Sequence, residues 1–382
     1  MNRDVANRRL RAGIVGGGQG SFIGAVHRVA VELDGQAQVV AGAMSTDPQK
    51  AEASAQAWFL QRSYNSFQEM AKTEASLPDG IDFVIVATPN HMHYPVAKAF
   101  LEQGIHVVSD KPMTFNLEEA RELVTLVERS KLIYALTHNY TGYPTVRQAR
   151  HMVRQGELGT IRKVLVEYVQ DWLMDPLEKS GNKQASWRTD PQRSGMAGSV
   201  GDIGTHAENL LEFITGVKIS SLCADLSTFV EGRLLDDDAN MLLRLENGGK
   251  GLLTCSQIAA GEENNLSIRV YGSKAGLEWH QMEPNTLLFK QPGKPLQILR
   301  TNLAYMSDES KAASRLPGGH PEGFFEAFAN IYKMVITDIR RTATGEQAQG
   351  GYPTVYDGLR GMLFVTRAVE SSQRGSVWVD LQ

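Results

Sequence analysis

The 382-residue chain has only two cysteines, Cys223 and Cys255, far apart and outside any Cys-x-x-Cys or Cys/His zinc spacing. A disulfide-stapled secreted scaffold is therefore not expected, and a reducing, cytoplasmic setting is the simplest reading. No apolar run approaches the roughly 20 residues that cross a bilayer. Neither sign of charge is in large surplus, with 43 acidic against 39 basic residues. A formal net charge of −4 gives no basis for binding nucleic acid or an anionic membrane surface. Internal repeats and low-complexity tracts are absent too. Arg8-Arg9 raises the question of a twin-arginine export signal, but the LRAGIVGGG that follows reads as a strand and glycine turn rather than an apolar segment. Residues 1–10 are expected to be a disordered lead-in.

What is present is ordinary globular material: 42% hydrophobic and 21% charged residues, at a length that favours two domains. The first third alternates strand and helix signals. Arg11–Val15 is a strand ending at Gly16, Phe22–Leu33 has helical spacing, and Gln38–Met44 is a second apolar strand. Asp47-Pro48 then opens a helix, with Asp as N-cap and Pro in the first turn. The run Asp82–Ala87 is continuously apolar after its first residue, as a strand buried on both faces requires. Further alternation continues to Thr137. Such βαβ order predicts an α/β protein: an N-terminal Rossmann domain with a doubly wound parallel sheet, residues 1–137. After residue 138 strands follow one another from Ile219 to His280 without helices between them. That order predicts a C-terminal α+β domain, residues 138–382, with a largely antiparallel open sheet. One face of that sheet needs cover, which predicts a homodimer or homotetramer. Residues 171–200 read as a long polar loop, and Gly323–Arg341 and Tyr356–Ser371 as late helices.

The first strand runs into GGGQGSFIG, Gly16 to Gly24. Glycines here let the backbone approach a pyrophosphate, and the next helix offers its N-terminal N–H groups. Gly16, Gly18, Gly20, Ser21, Phe22 and Ile23 are the candidate cofactor contacts. The spacing departs from Gly-x-Gly-x-x-Gly, since position 21 is serine and the next glycine is Gly24. The residue after the second strand reads the ribose 2′ position. It is Ser45, neither the acid that favours NAD nor an arginine that favours NADP. NAD is the expected cofactor, with NADP tolerated.

Three further segments follow in order: Ala87-Thr88-Pro89-Asn90-His91-Met92-His93, Ser109-Asp110-Lys111-Pro112 and Gly201-Asp202-Ile203-Gly204-Thr205-His206. With the glycine turn, and with the later stretch from Leu316 to Tyr332, they give the chain a sequence that resembles the Gfo/Idh/MocA oxidoreductases. The resemblance implies that Thr88, Pro89, Asn90, His93, Asp110 and Lys111 line the nicotinamide side of the cofactor. It also implies that Lys111, Asp202 and His206 form the catalytic group, and that Trp187 and Arg188 reach cofactor and substrate. The family's Asn-x-Arg-Phe-x-Pro segment corresponds to Asn139-Tyr140-Thr141-Gly142-Tyr143-Pro144, where Thr141 and Gly142 replace a cationic and an aromatic side chain. Asn139 is a cofactor candidate. Tyr140, Tyr143 and His320, together with Lys111, Asp202 and His206, are candidates for recognising substrate hydroxyls.

Hydride transfer from a carbinol needs the hydroxyl proton removed, which a neutral imidazole does well near its own pKa. His206 is the candidate base. Asp202, four residues earlier, either shares a helix face with it or lies in a loop before a helix that begins at Thr205 with a Thr205…Glu208 capping box. Lys111 would set a positive charge where alkoxide character develops. His91 and His93 form an H-x-H pair, but no further ligands follow at metal spacing, and no metal is expected. The expected activity is oxidation of a hydroxyl on a sugar, cyclic polyol such as inositol, or glycoside. An NAD-dependent redox-assisted glycosidase and a non-catalytic cofactor-sensing protein are the alternatives.

Overall fold

The computed structural model describes Val5 and residues 8–381, which divide into two compact units. The lead-in expected over residues 1–10 lies outside the described residues at positions 1–4, 6 and 7. Arg8 within it is ordered by structure: its guanidinium donates to both carboxylate oxygens of Asp82 at 2.7 Å.

The first unit comprises residues up to Asn139 and returns with Phe324–Leu359. Its strands are β1 (Leu10–Gly16), β2 (Ala37–Ala43), β3 (Arg62–Ser63), β4 (Phe83–Ala87), β5 (His106–Ser109) and β6 (Tyr134–Leu136). They form one parallel sheet in the order β3-β2-β1-β4-β5-β6, that of a doubly wound dinucleotide-binding fold. Every residue of β4 is buried, as the unbroken apolar run requires of a central parallel strand. Its alternate residues Phe83, Ile85 and Ala87 join Leu10, Ala12 and Ile14 of β1 in one core layer. That layer is covered by Val26 and Ala30 of helix Phe22–Glu32 and by Phe328, Tyr332 and Val335 of helix Phe324–Ala343. A single cut near residue 137 therefore does not describe this unit, because its sheet is roofed by a helix that begins only at Phe324. Nothing in local periodicity distinguishes a helix that stays with its neighbours from one that returns.

The second unit comprises Tyr140–Gly323 and Arg360–Gln382. Its strands are β7 (Ile161–Val169), β8 (Ile219–Ser227), β9 (Asp238–Leu245), β10 (Lys250–Ser256), β11 (Asn265–Gly272), β12 (Gly276–His280), β13 (Thr286–Lys290), β14 (Gln297–Arg300) and β15 (Val379–Asp380). The sheet order is β14-β13-β12-β11-β7-β10-β9-β8-β15. Successive hairpins pair antiparallel, as read from the sequence, but β7 enters between β10 and β11 and lies parallel to β10. Helix Thr205–Thr215 is buried along nearly its whole length. Two acids lie on it, and Arg360 meets both: its Nε and Nη2 donate to Glu212 at 3.0 and 2.9 Å, and its Nε is 4.0 Å from Glu208. Charges at such a position are kept only when paired. The segment read as a long loop over residues 171–200 instead winds into short helices at Lys183–Arg188 and Pro191–Ser194, each started by a capping side chain, Asn182 and Asp190.

Candidate active site

In the first unit the glycine turn is built from backbone that L side chains rarely adopt: φ is +80° at Gly16, +72° at Gly17 and +78° at Gly20. Ser21 caps helix Phe22–Glu32, accepting from Gly24 N at 3.3 Å. Gly24 takes the place of the fingerprint's last glycine, since a Cβ there would stand 2.4 Å from Gly17 Cα and O. A Cβ at Gly18 would stand 2.7 Å from Met44 O, while around Gly20 there is nothing within 4 Å. The longer turn is tied down by Gln19 N donating to the buried Ser54 hydroxyl at 3.1 Å. Phe22 is largely exposed and Ile23 half-buried. At the end of β2, Ser45 accepts from Asp47 N at 3.1 Å, and the Asp47 carboxylate caps the next helix through Gln49 N and Lys50 N.

The other first-unit candidates cluster beyond the carboxyl ends of β4, β5 and β6. His93, expected to face the cofactor, is buried with its two ring nitrogens 2.6 Å from Pro112 O and 2.8 Å from Thr88 O. Its visible work is to clamp the Thr-Pro-Asn turn to the Lys-Pro turn. Burial pushes its pKa down against the pull of Asp110 and the two carbonyls. Asp110 Oδ1 accepts from Lys111 N and from the Thr137 hydroxyl, both at 3.0 Å. Thr88 Oγ1 and Asn139 Nδ2 are buried polar atoms with no hydrogen-bond partner in the described residues. Ligands of doubly wound sheets bind beyond these strand ends. The turn and these two atoms together fit a dinucleotide.

Two further histidines, at opposite ends of the β5–β6 pair, make the unit sensitive to acid. His106 Nδ1 accepts from Ile133 N at 2.9 Å, and burial pushes its pKa down to about 4. Burial and the positive charge of Lys111 push His138 down to about 3. Above about pH 6.5 both rings are neutral whether the chain is folded or not, so their contribution is fully present. As pH falls below that value only the unfolded chain takes up the protons, and stability is lost at roughly 1.4 kcal/mol per pH unit for each ring. We expect calorimetry to show a melting temperature at least about 5 °C lower at pH 5 than at pH 7.5. Equal values would mean that both rings titrate normally in the folded protein.

In the second unit, Val200–Gly204 forms a π-helical turn that runs directly into helix Thr205–Thr215. The capping-box alternative is not what forms: the Thr205 hydroxyl donates to Gly201 O at 3.0 Å, and Asp202 stands on a wound turn. Asp202 Oδ2 accepts from Arg188 Nε at 3.2 Å and from Gln257 Nε2 at 2.8 Å. The Arg188 guanidinium is stacked over the Trp187 ring at 4.2 Å and steadied by Gln184 Oε1 at 2.6 Å. The Trp187-Arg188 pair therefore aims at Asp202 as one rigid piece. The His206 ring is nearly buried, edge-on to Tyr140 at 4.8 Å and near Tyr168 at 6.0 Å. The Tyr140 and Tyr168 hydroxyls are hydrogen-bonded to one another, and Tyr168 donates to Asn264 Oδ1 at 2.8 Å. Burial pushes both phenols up. Tyr143 stacks between Tyr140 and Trp279, a packing role. His320 is exposed and engages Pro317 O of its own turn at 3.1 Å.

Residues that the sequence reading missed are Gln257, Tyr168, Asn264 and Asp236. Each is a single polar residue at a strand end or in an acidic run, without spacing to mark it.

Residues 10–138 match the oxidoreductase family with an NAD-binding Rossmann fold, and residues 146–278 match the GFO/IDH/MocA C-terminal domain. Oxidoreductase YfiI of Bacillus subtilis strain 168 is 34% identical over 99% of this chain and 98% of its own. Levoglucosan dehydrogenase of Pseudarthrobacter phenanthrenivorans is 26% identical over 71% of this chain and 73% of its own. Among solved structures, an inositol dehydrogenase homologue from Azotobacter vinelandii complexed with NAD+ superposes with a TM-score of 0.95 at 36% identity, covering 100% and 99% of the two chains. The chain belongs to the Gfo/Idh/MocA family and is an NAD-binding oxidoreductase.

Proposed function

We propose that the protein oxidises a secondary hydroxyl of a cyclic polyol or sugar. The observation that carries this reading is the Asp202–His206 turn, with its carboxylate held by Arg188 and Gln257 and its imidazole held by Tyr140 and Tyr168. A binding protein has no use for a restrained carboxylate and imidazole one helical turn apart. Similarity adds to it. The Azotobacter vinelandii homologue complexed with NADH and myo-inositol is 35% identical over 99% of both chains, with a TM-score of 0.90.

NAD, when bound, supplies the hydride acceptor. Gly16–Ile23, Ser45, Thr88–Asn90 and Asn139 are the residues to hold it. His206 removes the hydroxyl proton, Asp202 orients the imidazole or the substrate hydroxyl, and the Lys111 ammonium favours the alkoxide-like oxygen. The test is NADH absorbance with inositols, levoglucosan, hexoses and glycosides offered one at a time. Net NADH with a polyol or sugar supports the reading. Release of an aglycone without net NADH replaces it with redox-assisted glycoside cleavage. NAD binding with neither leaves a cofactor-sensing protein.

Cofactor preference follows from Ser45. The Asp47 carboxylate is turned to its helix cap, and Ser45 itself brings no negative charge to reject a 2′-phosphate. NAD should be favoured over NADP by less than about a thousandfold, roughly 4 kcal/mol, and Ser45→Asp should widen the ratio of dissociation constants at least about tenfold. A native ratio beyond a thousandfold would mean that another residue reads the ribose.

Assembly is proposed to be a homodimer or homotetramer through the open sheet face. Cys223, Leu242, Leu252 and Leu165 stand side by side across β8, β9, β10 and β7, with Leu242 49% and Leu252 43% exposed. Sedimentation at micromolar concentration should show no stable 42 kDa species; a stable monomer would refute the assembly.

A further inference from the structure

A π-turn winds the backbone one residue looser than an α-helix and persists where its surroundings hold it. The turn that carries Asp202 is held from a corner of the second unit that no functional motif includes. Asp236 is buried, and its carboxylate accepts from Gly198 N at 2.7 Å, the Ser199 hydroxyl at 2.7 Å and Val200 N at 2.8 Å. Its carbonyl accepts Ser199 N at 2.9 Å. A Cβ on residue 198 would stand 2.1 Å from that same carbonyl, so only glycine allows the approach. Gly198 O in turn accepts Asp202 N at 2.9 Å. The chain of contacts therefore runs from the Asp236 carboxylate to the Asp202 backbone in two steps.

The next residue controls the other end of Asp202. Asp237 O accepts Gln257 N at 2.9 Å, and the Gln257 side chain donates to Asp202 Oδ2 at 2.8 Å. The Asp237 carboxylate has separate work, accepting Phe229 N and Val230 N and pairing with Arg233.

We infer that Asp236 and Gln257 are positioning residues for Asp202, Asp236 fixing the turn on which it stands and Gln257 fixing its carboxylate. The inference rests on the reading of Asp202 as part of the active site. An acid buried at position 236 is otherwise costly, and burial pushes its pKa up while the Ser199 hydroxyl and the two N–H groups pull it back. Among the charged and titratable groups facing Asp202 are Arg188, which pairs with it, and the Tyr140 and Tyr168 phenols, whose pKa values it helps to raise. His206 follows one turn later on the same helix.

The experiment uses the full chain loaded with NAD and compares Gln257→Met and Asp236→Asn with the native protein. The Asp202 carboxyl carbon, labelled with 13C and assigned by its loss in Asp202→Asn, is followed from pH 8 down to about 2.5, past the ordinary aspartate midpoint of about 3.9. Hydrogen exchange is measured over residues 199–215. In Gln257→Met the Asp202 midpoint should rise by about one pH unit, because a donor to the charged form is lost. In Asp236→Asn one amide N–H must face an N–H or hydroxyl donor, and exchange over residues 199–205 should speed at least tenfold while 208–214 hold. Ser199→Ala, which removes one donor, should give a smaller change in the same segment and serves if Asp236→Asn does not fold. An unmoved Asp202 midpoint, or exchange that rises evenly along the whole helix, overturns the inference. Full turnover in Asp202→Asn would instead refute the role of Asp202 in the chemistry while leaving these results to stand.

Discussion

His206→Ala should lower turnover by about 10² to 10⁴-fold, the usual contribution of a positioned general base, while the dissociation constant of NAD changes by less than about twofold. The NAD-binding match covers residues 10–138 and does not include position 206, so the cofactor's main contacts survive the change. The imidazole is nearly buried against Tyr140 and Tyr168, and truncation leaves a gap there. His206→Gln, closer in size, separates that packing loss from the loss of a base: it should be nearly as inactive but melt closer to the native protein. A base must be neutral to act, so native turnover should fall as pH drops below the histidine's pKa, and neither variant should keep that limb. A variant that retains more than a tenth of native turnover would remove His206 from the chemistry.

The sequence is legible where one physical rule decides the outcome locally. The β4 run is apolar without alternation because both faces are covered, and the strand is buried at every position. Asp47-Pro48 is a helix start by chemistry alone, and the Asp47 side chain makes the expected cap. The glycine turn was legible down to its irregularity, since Gly24 makes the close contact that the spacing left without an owner. What could not be read depends on partners distant in the chain. His93 looks like a cofactor contact in its motif, but whether its ring turns outward or inward is decided by Pro112 O, which another strand delivers. No spacing marks the Asp236-Asp237-Asp238 run, yet Asp236 is buried because the 198–200 turn brings N–H groups to it. Periodicity likewise finds helix Phe324–Ala343 but not the sheet it covers.

Gly24→Ala should weaken NAD binding at least about a hundredfold, or 2.7 kcal/mol. The added carbon would stand 2.4 Å from Gly17 Cα and from Gly17 O, both backbone atoms, so no side-chain rotation relieves it. Helix Phe22–Glu32 must move away from the end of β1 by about 1 Å to reach ordinary contact. Val26 and Ala30 lie in the core with Phe328 and Tyr332, and an interior at crystal-like density resists such a shift. The helix then carries its N-terminal N–H groups off the position from which they meet a pyrophosphate. Gly18→Ala should be milder, since its Cβ would meet a single backbone atom closer than 3.0 Å, Met44 O at 2.7 Å, where Gly24 meets Gly17 Cα and O at 2.4 Å and Gly17 C at 2.7 Å. Gly20→Ala should be mildest. Nothing lies within 4 Å, and only φ of +78° penalises it, by about 1 kcal/mol. Calorimetric titration of the three variants with NAD should therefore rank them Gly24, Gly18, Gly20 from most to least affected. If Gly24→Ala binds NAD as tightly as the native protein, the turn is not the pyrophosphate cradle, and the cofactor must lie elsewhere on the sheet.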